Sequence, residues 1–168
     1  MMTSTSIPCT SAAFAELSAE ILRAGKALRF QARGASMSPL VRDGDVLLVQ
    51  PAQRRGVRVG DVVLCRNEMG HVVVHRVVRR LMGPTGRRFV VQGDQVARPD
   101  GVIPGAQVYG RVVAIERAGA RLETSRPLMR LLGALAVLRS RWNLGRGKGF
   151  ALAGRLARKL PGLSRYLA

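Results

Sequence analysis

The sequence predicts a mainly β domain, with one helix ahead of it and a basic, helical tail behind it. Three observations carry this reading. Val-rich runs recur between residues 45 and 117, separated by Gly, Asn, Asp and Pro. The residues ahead of them repeat apolar side chains at helical spacing, and after about residue 125 the β pattern gives way to a segment rich in Leu, Ala and Arg.

The N-terminal element comes from Phe14, Leu17, Ile21, Ala24 and Leu28, interleaved with Glu16, Glu20, Arg23 and Lys26. This spacing predicts an amphipathic helix over 12–30 that covers one side of the domain. The stretch "GASMSP" at 34–39 is poor in helix formers, and Pro39 biases Ser38 away from the helical region. Ser36 is therefore expected on a turn leading into a strand. Five strands follow, in "DVLLVQ" (45–50), "DVVLCRN" (61–67), "HVVVHRVVRRL" (71–81), "RRFVVQ" (87–92) and "QVYGRVVAIER" (107–117). "NEMG" at 67–70 and "MGPTG" at 82–86 read as hairpin turns. The chain thus divides into a helical lead-in at 1–33, a β-domain at 34–118 and a tail at 119–168.

Composition bounds the function. At 168 residues the chain is about one domain long, and 47% hydrophobic residues can supply a core. Lys and Arg total 28 against 10 Asp and Glu, a formal charge of +18 that suits an anionic partner such as nucleic acid or an anionic membrane. Residues 1–118 carry 17 basic and 9 acidic side chains, whereas residues 119–168 carry 11 and 1, so the excess is concentrated in the tail. There, Arg155, Arg158 and Lys159 cluster on a helical wheel opposite Leu152, Ala153, Leu156 and Leu160. Such a segment suits an anionic membrane surface; a helix packed on the domain with a solvated basic face fits equally well. Aromatic residues are only 4% of the chain, which disfavours nucleic acid as the partner.

The longest strictly apolar run, "LLGALAVL" at 131–138, is well short of the roughly 20 residues that span a bilayer, so no transmembrane helix is expected. The first twenty residues lack a basic start and a long apolar run and carry Glu16 and Glu20, so no cleavable signal is expected either. Cys9 and Cys65 make neither a disulfide framework nor a metal motif, and Cys65 reads as a buried small apolar residue. No metal-ligand cluster is visible, and no cofactor is expected.

A serine hydroxyl is a weak nucleophile until a base takes its proton, and neutral imidazole is the usual base near neutral pH. The chain has two histidines, His71 and His75, whose even separation puts them on one face of a strand. His71 lies beside a turn and is expected to be exposed. His75 sits mid-strand among valines, where burial favours an uncharged ring able to accept a proton. A serine and a histidine 39 residues apart prove nothing by themselves.

Their context says more. "GASMSP", "DGDVLLV", "VGDVVL", "VHRVV", "VQGDQVARPD" and "VYGRVVAI" follow one another between Gly34 and Ile115. Together they resemble the signal peptidase I family and, more broadly, the serine peptidases that share its β-fold with the self-cleaving SOS repressors. The resemblance implies a small catalytic β-domain of that type, with Ser36 as nucleophile and Met37 beside it. Most bacterial members place a lysine base just before an arginine in the third block. His75 and Arg76 stand there, which is similar to the endoplasmic-reticulum and archaeal type. In that type a "GD" is followed six residues later by a second aspartate, matched by Asp94 and Asp100. A Ser36, His75 and Asp100 arrangement is implied, with Asp94 and Arg76 in support. An aspartate can hold an imidazole in the right tautomer and stabilise the imidazolium that forms. Asp100 is favoured for that role over Asp94, since "QGDQ" also reads as an ordinary turn. Asp43, Asp45 and Asp61 read as turn residues without chemistry.

The expected activity is that of a serine endopeptidase cleaving leader or signal peptides after small residues, through an acyl-enzyme on Ser36 with His75 as general base. Two departures qualify it. Many signal peptidases carry a serine or threonine two residues before the nucleophile, where this chain has Gly34, so the oxyanion must rest on backbone amides such as Ser36 N–H. Losing one such donor costs about 2.7–4 kcal/mol in a protease that depends on it. The usual membrane anchor is also missing from the pattern, which leaves a peripheral membrane protein held by its tail, or a cytoplasmic one. One alternative is self-cleavage, for which Ala24-Gly25 is a suitable dipeptide. Against it, the dipeptide falls in a predicted helix, and the 33 residues before Gly34 are too few for a separate DNA-binding domain. The other alternative is an inactive peptidase fold that binds an anionic membrane or nucleic acid.

Overall fold

The computed structural model describes residues 11–52, 56–84, 86–125 and 133–139. Helix α1 spans Ser11–Arg23 and is followed by eight strands: β1 (Leu28–Gln31), β2 (Val46–Pro51), β3 (Val62–Arg66), β4 (Val72–Gly83), β5 (Gly86–Gln92), β6 (Val102–Pro104), β7 (Val108–Arg117) and β8 (Ala120–Glu123). They form one antiparallel sheet in the order β1-β2-β7-β3-β4-β5-β6, with β8 also paired to β7. The chain is mainly β, as its Val-rich runs predict.

The helix is shorter than its apolar spacing predicts. It ends where Gly25 takes φ +78, a conformation that costs glycine little. Gly25 N–H donates to Leu22 O and Lys26 N–H to Ile21 O, the paired bonds of a Schellman cap. Leu28 therefore belongs to β1, where it pairs with Val49. The buried face of α1 is Ala15, Ala19 and Leu22. It lies over β7, where Gly110 makes room: a Cβ there would stand 2.5 Å from Val49 Cγ1 and 3.1 Å from Leu22 Cδ1.

The sheet curls so that β3 is covered on both faces. Val62 and Leu64 join Leu22, Met37, Leu47, Val49, Val112 and Ile115 in one core. Val63 and Cys65, on the alternate face, join Val77, Phe89, Val91 and Ile103 in the other. Each fully buried Leu, Ile or Val contributes about 1.5–3 kcal/mol, so two cores of this size hold β3 and β4 rigidly. The central strand of the site, β4, thus stands on a fixed platform.

Residues beyond 118 begin as part of this sheet, not as tail. Strand β8 pairs with Ala114 to Arg117 of β7, and Thr124 N–H donates to Val113 O. Residues 133–139 are helical, with Val137 buried. Cys9 and the cationic segment at 150–160 lie outside the described residues. Among the described residues no helix is long and apolar enough to cross a membrane.

Candidate active site

The Ser36 loop connects β1 to β2, and backbone bonds close its base. Ala32 N–H donates to Asp45 O (2.7 Å) and Gly44 N–H to Ala32 O (3.0 Å). At the loop's start Gly34 has φ +89, and its N–H donates to Asp43 Oδ1 at 2.8 Å. Met37 and Val41 turn into the core, 3% and 4% exposed, and Val41 N–H donates to Met37 O. Met37 is thus the apolar anchor that leaves Ser36 at the half-buried rim. The Ser38–Pro39 bond is cis.

Asp45 fixes the far side of the loop. Its carboxylate accepts Arg42 N–H (2.7 Å) and a two-pronged contact from Arg117 Nε and Nη2 (2.8 and 2.7 Å), and Arg117 Nη2 also donates to Leu40 O. Burial opposes ionisation of Asp45, but the Arg117 bonds and the Arg42 amide outweigh it and hold the carboxyl below its ordinary range. The turn aspartates thus do the local backbone work expected of them; Asp61 likewise accepts Arg58 N–H at 2.8 Å.

His75 and Arg76 are neighbours on β4 and, by the alternation of a strand, turn to opposite faces. His75 is 6% exposed and pairs across the ladder with Val63. Its Nε2 lies 3.1 Å from Ser36 Oγ, and its Nδ1 is hydrogen-bonded to Asp100 Oδ2. A carboxylate can only accept, so Nδ1 carries the proton and Nε2 presents its lone pair to the serine hydroxyl. Arg76 takes the other carboxylate. Its Nε and Nη2 donate to Asp94 Oδ1 and Oδ2 at 2.8 and 2.6 Å, and its Nη1 donates to Gly60 O at 2.9 Å. Asp100 therefore meets His75, while Asp94 closes a buried ion pair behind it. His71 is exposed at the β3–β4 turn.

Three further residues complete the site: Gly93, the glycine of the quoted "GD", Gln95 and the turn residue Asp43. A Cβ on Gly93 would stand 2.8 Å from Ser36 O and 3.0 Å from His75 Nε2, so only glycine lets the β5–β6 segment approach this closely. Gln95 ties that segment to the serine loop: its N–H donates to Ser36 O (2.9 Å) and its Nε2 to Ser38 O (3.1 Å). Asp43 holds Gly34, as described above. Among the described residues, the N–H groups of Ser36 and Met37 have no hydrogen-bond acceptor. Cys65 is fully buried beneath the site; burial, reinforced by the Asp100 charge, pushes its thiol up to about 12. A separate cleft of about 340 Å³, lined by Leu40, Arg58, Asp61, Arg76 and Arg111 among others, includes none of Ser36, His75 and Asp100.

The structure thus sets a serine, a buried imidazole and a carboxylate in hydrogen-bonded sequence on a curled antiparallel sheet. Residues 6–113 match the Peptidase S24-like family, and the chain belongs to it. The match covers α1 and the sheet through most of β7, including Ser36, His75 and Asp100. No curated protein matches the chain. The family carries the repressor-type and peptidase fold that the motif blocks suggest, without assigning signal peptidase specificity.

Proposed function

We propose that the protein is a serine endopeptidase that cleaves leader or signal peptides after small residues. The observation that carries this reading is the continuous contact from Ser36 Oγ through the His75 ring to Asp100. Ser36 Oγ attacks the scissile carbonyl as His75 Nε2 takes its proton, and Asp100 stabilises the imidazolium. The oxyanion is met by the unengaged N–H groups of Ser36 and Met37, since Gly34 supplies no hydroxyl. His75 then protonates the leaving amine, and water hydrolyses the acyl-Ser36 ester with His75 again as base. The tail's basic excess fits a peripheral position on an anionic membrane, where such leaders emerge.

Self-cleavage at Ala24-Gly25 is the weaker reading. A scissile peptide must lie extended across the nucleophile, whereas this dipeptide is wound into the α1 cap by bonds to Glu20 O and Leu22 O. An inactive binding fold is separated by one comparison: peptide cleavage by the wild type that Ser36→Ala abolishes supports the enzyme. Equal behaviour of the two proteins, with salt-dependent binding to anionic vesicles or DNA, supports the binding fold.

A further inference from the structure

We propose that Glu68, in the turn between β3 and β4, is a positioning residue for the Ser36–His75 pair and acts through Asp100. This rests on the reading of Asp100 as the partner of His75.

The turn that carries Glu68 is rigid. Asn67, 4% exposed, accepts Met69 N–H (3.1 Å) and His71 N–H (2.9 Å) on its side-chain oxygen. Its own N–H donates to His71 O, and Gly70 N–H donates to Asn67 O. Glu68 is therefore presented from a fixed base, across to the segment between β5 and β6. There its Oε1 accepts Val102 N–H at 2.8 Å.

Gly101 shows how closely the two segments fit. It has φ +111, and a Cβ built on it would fall 2.2 Å from the Glu68 carboxyl carbon and 2.4 and 2.5 Å from its oxygens. The exposed Glu68 carboxylate therefore packs directly over Gly101, whose positive φ favours glycine at this position. Asp100 is thus held between two backbone ties: its own N–H donates to Val91 O at 2.9 Å, and two residues on, Val102 N–H is taken by Glu68. Between them Gly101 is the flexible joint. With Glu68 in place the joint is fixed, and the Asp100 carboxylate stays aimed at Nδ1 of His75. Without it, the segment is held by the β5–β6 pairing and the Asp100 N–H bond alone, and the aim of the Asp100 carboxylate at the ring loosens.

The test compares full-length wild type with Glu68→Ala and with Glu68→Gln, which keeps an acceptor oxygen. Two quantities are read: the NMR signal of the His75 Nδ1 proton, and kcat and KM on a cleaved peptide. The proposal expects Glu68→Ala to shift or broaden the Nδ1 proton signal and to lower kcat about tenfold or more with KM within twofold, and Glu68→Gln to restore most of both. An unchanged Nδ1 proton signal and kcat within twofold in Glu68→Ala would overturn it. So would equal loss in both variants, which would point to the charge and not the tie. The imidazole signal is readable whether or not the protein cleaves anything. A wild type without peptidase activity would overturn the enzymatic reading, and the Nδ1 signal would still decide the role of Glu68.

Discussion

Gly93 lies against both Ser36 and His75: a Cβ at this position would lie 3.0 Å from His75 Nε2 and 2.8 Å from Ser36 O. The glycine lets the acidic segment lie directly against the serine loop. Gln95 then fastens it there through Ser36 O and Ser38 O. Three segments meet here, the β1–β2 loop, strand β4 and the β5–β6 loop, and the closest approach among them is at Gly93.

Gly93→Ala is accordingly expected to push the serine loop off the imidazole while the two cores stay intact. A displacement of about 1 Å at a reacting atom costs about 100-fold in rate. Peptide cleavage measured beside far-UV circular dichroism checks this; the expected outcome is a loss of that order with an unchanged spectrum.

The Arg76–Asp94 pair is expected to matter for stability more than for chemistry. The two side chains are 3% and 12% exposed. Asp94→Ala leaves a buried guanidinium without its partner, which costs about 3–5 kcal/mol. Urea unfolding of Asp94→Ala and Asp100→Ala would separate the two aspartates: the first should lose more stability, the second more activity.

Acid should loosen the serine loop through Asp45. Its folded pKa lies below the ordinary value of 3.8, so the stability it contributes is fully present above that value and is lost as pH falls toward the folded pKa. Asp45→Asn should lower the melting temperature at pH 7 and flatten its decline below about pH 4. Thermal melts of both proteins from neutral to acid pH measure this directly.

Cys65 is expected to be inert. Its thiol, fully buried and pushed up to about 12, holds almost no thiolate near neutral pH. Labelling with a thiol reagent should leave Cys65 unmodified in the folded protein and modify it in denaturant, as mass spectrometry of the Cys65 peptide would show.

Much of this was legible in the sequence because it is local. Alternating or continuous valines mark β2, β3, β4, β5 and β7, and the turns at 67–70 and 82–86 carry their own residue signals. Strands β1, β6 and β8 are short and mixed in composition, and become strands only by pairing with β2, β5 and β7. Leu28 fits a helical pattern as well as a strand, and only the cap at Gly25 decides between them. The motif blocks point to Ser36, His75 and Asp100 as residues. Gly93 lies in the quoted "GD" but its close approach to Ser36 and His75 is visible only in the fold, and Gln95 and Glu68 have no local signature, since each matters only for what the fold places against it.

The most direct measurement is cleavage of a library of leader-like peptides with small residues at the cut, comparing wild type, Ser36→Ala and His75→Ala across pH. The account predicts cleavage by the wild type alone. Equal cleavage by Ser36→Ala, or no cleavage by the wild type, would contradict it.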